Sequence, residues 1–287
     1  MKIEVSNIES PLKLDKFLKK HTSIPFFLVH KLIRKRLIKV DQKRVSSSVF
    51  VENGQIIDIF FDIKSFKPEK QIDTNSTLYK QILSRLRNSI IFEDQNIIVF
   101  NKDAGLNVQA GTRIGCSIDD VLVEFSSNGI RPRLVHRLDR DTSGILIVAK
   151  NLDTSKKISD LFQNHKISKT YIAITSGSPK SRTGKLNIEI ADNKGSKTAE
   201  TNYKILERLK ENLYLVEFNP KTGRKHQIRI TAKELGCPIL GDKKYGPHTK
   251  QKNLFLHCLE MKLSIDNKKY SFKAELPKHF LEVIRTN

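Results

Sequence analysis

His136-Arg137-Leu138-Asp139-Arg140-Asp141-Thr142-Ser143-Gly144 runs straight into Ile145-Leu146-Ile147-Val148-Ala149. The second half is a short continuous apolar run, which predicts a buried strand. The first half is a polar turn that delivers the carboxylate of Asp139, set between two arginines, to the mouth of that strand. A strand holds such a group in place while the turn leaves it open to solvent, and neighbouring cations favour its charged form. Asp141 is the rival acid. Arg137, two residues upstream, shares the face of Asp139 in extended chain.

Outward from this stretch, the chain has 287 residues, enough for a small domain joined to a larger one with a full core. Lys and Arg total 52 against 31 Asp and Glu, a formal net charge of +21. Such a surplus calls for a polyanionic partner, and nucleic acid fits best. No apolar run approaches the length of a membrane span, and the Met1-Lys2-Ile3-Glu4-Val5 start lacks the apolar block of a signal peptide. A soluble, cytoplasmic protein is expected. Cys116, Cys237 and Cys258 lie far apart with no Cys-x-x-Cys pair, so they read as buried or idle thiols and not as a zinc site or disulfide framework.

Residues 1–64 read as a compact basic module. Leu14, Phe17 and Leu18 have helical spacing, and a second helix is expected to begin near Ser23-Ile24-Pro25. On it Lys31, Arg34 and Lys35 share one face and Leu28, Leu32 and Ile33 supply the opposite one. Ile38-Lys39-Val40, Val49-Phe50-Val51 and Ile56-Ile57-Asp58-Ile59 read as short strands, the last preceded by an Asn53-Gly54 turn. Residues 65–88 read as a linker, marked by Lys67-Pro68-Glu69-Lys70 and Asp73-Thr74-Asn75-Ser76-Thr77, with a helix stripe of Leu78, Ile82 and Leu86 inside it.

Residues 89–287 read as one mixed unit. Strands are expected over 97–100, 144–149, 171–175, 201–206 and 213–218. Helices are expected over 117–125, 154–165 with Asp153 as N-cap, and 225–235, the last stopped by Gly236 and Pro238. Because most strands are not separated by regular helices, an α+β class is predicted and a doubly wound parallel sheet is not.

Three later segments carry further signal. They are Lys169-Thr170-Tyr171-Ile172-Ala173, then Pro220-Lys221-Thr222-Gly223-Arg224-Lys225-His226-Gln227-Ile228-Arg229 continued by Leu235 to Asp242, and finally Leu254-Phe255-Leu256-His257-Cys258 with Ala274-Glu275-Leu276-Pro277. Together with the opening nonapeptide and the Asn101-Lys102-Asp103-Ala104-Gly105 segment, they resemble the RluA-type pseudouridine synthases, which isomerise uridine within RNA. The resemblance implies a bent, mainly antiparallel sheet with the cleft across its face. It implies Asp139 as the catalytic carboxylate, Tyr171 stacked on the uracil with its phenol near C5, and Arg229 paired with Asp139. Arg137 would fill the space left by an extruded nucleotide, Ile228 would pack against the base, and Arg224 would bind near phosphate. His136 is read as structural. The chemistry breaks the N1 glycosidic bond and rejoins uracil through C5 without net redox change or hydrolysis, so no cofactor and no metal is implied.

The first module resembles the S4 RNA-binding domain, with Lys31, Arg34, Lys35, Lys43 and Arg44 as its RNA contacts. That architecture, and the region Val108-Gln109-Ala110-Gly111, most resemble bacterial enzymes acting on large-subunit (23S) ribosomal RNA; no protein partner is implied and a monomer is expected. The chain departs from the family pattern at Arg36, where a helix-ending glycine is usual, at Asp41-Gln42 in place of Asn-Gly, at Asp103 in place of proline, and at Thr231 in place of histidine. The Arg36 and Asp41-Gln42 departures predict a different local turn. Two other readings compete: a non-catalytic RNA-binding ribosome-assembly factor, and a metal-dependent nuclease using Asp119, Asp120, Asp139 and Asp141.

Overall fold

The chain divides into two units, Met1–Gln71 and Ile72–Asn287. The computed structural model describes every residue except 23, 25, 47, 63–71, 110–114, 193–194, 248–250 and 286–287. Ser23, Pro25, the Lys67–Lys70 stretch, Ala110 and Gly111 therefore lie outside the described residues.

The first unit comprises β1 (Lys2–Glu4), β2 (Leu12–Lys13), α1 (Leu14–His21), α2 (Phe26–Arg34), β3 (Ile38–Val40), β4 (Lys43–Arg44), β5 (Phe50–Val51) and β6 (Ile56–Ile59). A four-stranded sheet has the order β1-β6-β3-β4, and β2 pairs with β5. Leu14, Phe17 and Leu18 of α1 and Leu28, Val29 and Leu32 of α2 are buried against Ile38 and Ile57 of the sheet. Burying six large apolar side chains stabilises so small a unit by roughly 1.5–3 kcal/mol each before entropy is counted.

The turn after α2 corrects one expectation. Arg36 adopts φ 60, its N–H bonds the Ile33 carbonyl at 2.9 Å, and the Leu37 N–H reaches back to the Leu32 carbonyl at 2.9 Å. That double bond is the Schellman ending of a helix, normally built on glycine. Asp41 and Gln42 likewise take φ 46 and 63, the conformation of an Asn-Gly hairpin turn. The chain keeps both turns because the flanking β3–β4 and β3–β6 pairings demand them, at a conformational cost that glycine would remove.

The second unit opens with α3 (Thr77–Arg87), β7 (Ile90–Glu93), β8 (Ile97–Lys102), α4 (Ile118–Val121) and a 3-10 turn over Leu122–Phe125. It continues with β9 (Arg133–Leu134), β10 (Ser143–Ala149), α5 (Leu152–Gln163), β11 (Ser168–Ser176), β12 (Thr183–Asp192), β13 (Gly195–Arg208) and β14 (Leu213–Pro220). It closes with α6 (Gln227–Glu234), β15 (Leu256–Ile265), β16 (Lys268–Lys273) and α7 (Lys278–Arg285). The sheet order is β12-β13-β14-β11-β15-β10-β8-β7, with β16 added on β15 and β9 on β10. Apart from the parallel β10–β15 contact, its pairs are antiparallel, so the class is α+β as predicted.

Residues 72–88 are not linker. Tyr79, Ile82 and Leu86 of α3 are buried in the same core as β8 and β10, while Leu78 is left half exposed. A polar start before the helix gave the segment a linker's composition, but Ser76 is an N-cap that accepts the Tyr79 N–H. At α5 the N-cap is Asn151, which accepts the Thr154 N–H at 2.8 Å, and not Asp153.

Two cores fill the unit. One lies under β7, β8 and β10; the other lies under β11, β13 and β14 with α6 and α7. Tyr171 packs against both, so it stands at their junction.

Candidate active site

β15 enters between β10 and β11, and this insertion positions the site. Ser143 and Gly144 of β10 register with His257 and Cys258, and Tyr171 of β11 registers with Cys258 from the other side after a bulge at Thr170/Tyr171. Asp139 lies four residues before Ser143, in the turn feeding β10, and is thus brought beside Tyr171. The turn is held from behind. The Arg140 carbonyl accepts the Gly105 N–H at 2.8 Å and the buried Lys102 ammonium at 3.0 Å, and Lys102 also donates to the Asp103 and Leu106 carbonyls. Asp103, where the family has proline, pairs with Arg85 of α3 at 2.9 Å, so an ion pair ties down the turn that proline would have stiffened.

The third wall comes from the segment entering α6. Gln227 is buried and uses its whole amide. Its Oε1 accepts from Thr222 Oγ1 at 2.7 Å and the Arg224 N–H at 2.9 Å, while Nε2 donates to the Glu200 carbonyl and to Thr201 Oγ1, each at 2.9 Å. Lys169 adds a bond to the Thr222 carbonyl at 3.0 Å. The loop carrying Arg224 is thereby fixed to β13 and β11.

The result is one cavity of about 790 Å³. Arg137 and Asp139 line it from the turn, Tyr171 from β11, and Arg224, His226, Ile228 and Arg229 from the α6 segment. All six catalytic and substrate-contacting residues expected from the sequence share that wall. Asp141 does not; its carboxylate turns to Arg140 at 2.9 Å. Asp119 pairs with Arg131 at 3.2 Å, and Asp120 takes the Ser117 N–H and hydroxyl in a capping box. The carboxylates of the nuclease reading are therefore engaged separately.

The family model for RNA pseudouridylate synthase matches residues 96–234. A protein of Rickettsia bellii (strain RML369-C) named ribosomal large subunit pseudouridine synthase C is 38% identical over 305 residues, 97% of this chain and 100% of that one. The chain belongs to the RNA pseudouridylate synthase family. A protein of Borreliella burgdorferi (strain ATCC 35210 / DSM 4680 / CIP 102532 / B31) named ribosomal large subunit pseudouridine synthase D is 32% identical, covering 98% of this chain and 91% of that one. Among solved structures, human RNA pseudouridylate synthase domain containing 4 aligns with a TM-score of 0.63 at 26% identity, covering 72% of this chain and 97% of that one.

In this pseudouridine synthase the electrostatics of the cavity differ from the sequence expectation in one respect. Arg229 does not clasp Asp139. Its Nε and Nη2 both donate to the buried Asp242, at 2.7 and 2.6 Å. Asp242 also accepts the Lys244 and Tyr245 N–H groups. Buried as it is, its carboxyl is still held below the ordinary carboxylate range by the Arg229 guanidinium and those amides. The side chain that faces Asp139 is His226, with Nε2 3.7 Å from Oδ1. Arg229 still feels Asp139 at longer range.

Tyr171 is enclosed, and burial, with Cys258 and Asp139 adding to it, pushes its phenol well above the ordinary value. The hydroxyl is therefore a neutral donor and not a ready base. His136 is structural as predicted: its Nε2 accepts the Ile147 N–H at 2.8 Å and its ring stacks on Phe162 at 4.6 Å. The Thr231 departure sits behind the cavity, where its hydroxyl meets that of Thr201 at 3.3 Å between α6 and β13.

Sequence reading missed Asp242 and Tyr245 and gave His226 no part in the chemistry. The signal for Asp242 was present. It is an acid ending the apolar run Cys237-Pro238-Ile239-Leu240 through Gly241, the mirror of the pattern that marked Asp139. Cys116, Cys237 and Cys258 are free and buried, as read.

Proposed function

We propose that this synthase converts specific uridines of large-subunit ribosomal RNA to pseudouridine with Asp139 as its catalytic carboxylate. The observation that carries the reading is the meeting of Asp139, Tyr171 and Ile228 in one cavity beside two arginines, Arg137 and Arg224. The names of the relatives support the class of RNA. The target nucleotide is extruded into the cavity, and Arg137, exposed at the rim, takes the vacated place in the helix. Extrusion costs a few kcal/mol, offset by phosphate contacts and by stacking in the pocket. The uracil lies between Tyr171 and Ile228. Asp139 acts on the nucleotide as the N1–C1′ bond breaks, the uracil turns and C5 joins C1′; the C5 proton then passes to solvent, and N1 takes up a proton in place of its broken bond. The neutral phenol of Tyr171 supplies a hydrogen bond and a flat face, which favours the binding role over the basic one.

The first unit is read as an S4-like RNA grip. Two helices packed on a small sheet, with Lys31, Arg34, Lys35, Lys43 and Arg44 all exposed, support it. No helix among the described residues is long and apolar enough to cross a membrane.

The test is tritium release from ribosomal RNA labelled at uracil C5, with EDTA present, for the wild type and Asp139→Asn. Release by the wild type alone is expected. Equal release from Asp139→Asn would remove the assignment. Deleting residues 1–64 is expected to weaken RNA binding without unfolding the remainder.

A further inference from the structure

Behind Asp139 stands a chain of polar groups that the reaction as described leaves unused. His226 is the residue before α6 and takes the left-handed conformation, φ 56 and ψ 21, uncommon for a side chain of that size. The conformation throws its ring into the cavity. Nδ1 meets the Tyr245 hydroxyl at 2.9 Å, and Nε2 faces Asp139 Oδ1 at 3.7 Å. Tyr245 is itself fixed. Its N–H bonds Asp242 at 3.1 Å, and the Arg229 guanidinium lies over its ring at 5.1 Å. A neutral imidazole carries one N–H and one bare nitrogen. A carboxylate oxygen can only accept, so the N–H belongs on Nε2, and Nδ1 then accepts from the phenol. The chain has one direction: Tyr245 hydroxyl to His226, His226 to Asp139.

We infer that His226 is a positioning residue for Asp139, oriented by Tyr245 and holding one carboxylate oxygen so that the other faces the target nucleotide. The inference rests on the reading of Asp139 as the catalytic carboxylate. At 3.7 Å the contact is longer than a formed hydrogen bond; catalytic contacts of this kind tighten when substrate closes the site. The division of charge in the cavity gives the arrangement its reason. Arg229 has its charge met by Asp242 through two bonds, so a neutral dipole and not a clamped cation sits nearest Asp139. Burial lowers the proton affinity of His226, against the pull of Asp139 and with help from Arg229, Lys244 and Lys225; Tyr245 completes its surroundings. A dipole orients the carboxylate while leaving more of its electron density for the nucleotide than a guanidinium would.

The experiment compares wild type, Asp139→Asn, His226→Gly and Tyr245→Phe by single-turnover tritium release and by RNA binding. Glycine suits φ 56, so His226→Gly keeps the backbone and leaves a space that free imidazole can enter. His226→Gly is expected to lose about 10²-fold in the rate of the chemical step, the scale of a misplaced reacting group, with RNA affinity changed less than about threefold. Added imidazole should restore part of that rate, and more so above its own pKa, where the neutral form dominates. Tyr245→Phe should fall in the same direction by a smaller factor. Full rate in His226→Gly beside an inactive Asp139→Asn would overturn the positioning role alone. A loss in His226→Gly matched by equal loss of RNA binding, with no rescue, would also overturn it. Turnover by Asp139→Asn would bring down the catalytic reading and this inference with it.

Discussion

Gly144 lies so close to Cys258 that a Cβ placed on it would fall 2.2 Å from the Cys258 carbonyl oxygen. Its φ of +107 adds a second reason for glycine, and the two together let β10 run parallel beside β15. Gly144→Ala is expected to destabilise the second unit by roughly 3 kcal/mol or more, since overpacking against backbone and a strained φ each cost about 1–3 kcal/mol. Gly105→Ala, where φ is +86 but nothing lies within 4 Å of the added atom, should cost only about 1 kcal/mol. Urea unfolding of both variants measures the difference, and equal midpoints would show that the close approach is relaxed in solution.

Arg36 ends α2 in a conformation made for glycine. Arg36→Gly is expected to stabilise the first unit by about 1 kcal/mol, the usual gap between glycine and other residues in the left-handed region. Slower amide exchange across α1 and α2 would report it. Unchanged exchange would mean that the Arg36 side chain makes compensating contacts.

The Arg229–Asp242 pair is buried and bidentate. Arg229→Met leaves an unpaired carboxylate and Asp242→Asn an unmatched guanidinium; each is expected to cost about 3–5 kcal/mol. Because both single changes remove the same interaction, the double variant should lose clearly less than their sum. Thermal unfolding of the four proteins closes the cycle, and additive losses would show that the pair is not coupled. The freed guanidinium in Asp242→Asn can swing toward Asp139, so turnover should fall as well.

His136 and His257 make the fold acid-sensitive. Burial pushes the His136 imidazole down to about 3, with Lys169 adding to it, and burial brings His257 to about 4. Unfolded histidines titrate near ~6.5. Both folded values lie below the unfolded one, so the unfolded chain binds more protons throughout that window. Stability is complete above about pH 6.5 and is lost as pH falls toward about 4 and below. The structural reason is visible at His136, since a protonated ring cannot accept the Ile147 N–H. His136→Leu should lower neutral-pH stability by about 1–3 kcal/mol by orphaning that N–H, and should make the acid slope shallower. Urea midpoints at several pH values test this; an unchanged slope would place the sensitivity elsewhere.

The cavity was legible in the sequence because the residues expected to line it sit in contiguous motifs. The polar turn at Asp139, the strand behind it and the segment Pro220–Arg229 each carried their own signal, and the family resemblance, not local spacing, separated Asp139 from Asp141. What escaped was pairing at a distance. The partner of Arg229 lies thirteen residues on, across a turn, and nothing in local spacing distinguishes Asp242 from Asp139 as its mate. The strands β12 and β16 carry the polar–apolar alternation of a half-buried strand and were nonetheless missed, while in β15 the buried start Leu256-His257-Cys258 breaks that alternation. The helix α3 was expected from the stripe of Leu78, Ile82 and Leu86, but the polar capping segment in front of it hid that it belongs to the core. In the first unit the turn departures misled, since pairing of the flanking strands overrode the local preference at Arg36, Asp41 and Gln42.

β15 has a further consequence, for synthesis of the protein. It lies between the strand that follows Asp139 and the strand that bears Tyr171, yet it spans Leu256–Ile265, near the end of the chain. A nascent polypeptide paused after Tyr245 already contains every residue of the cavity to which we assign a part in the chemistry. Without the strand that separates and registers β10 and β11, those residues have no common frame. On that assignment the site is assembled by β15, and a ribosome making the chain carries no working active site until this strand has emerged.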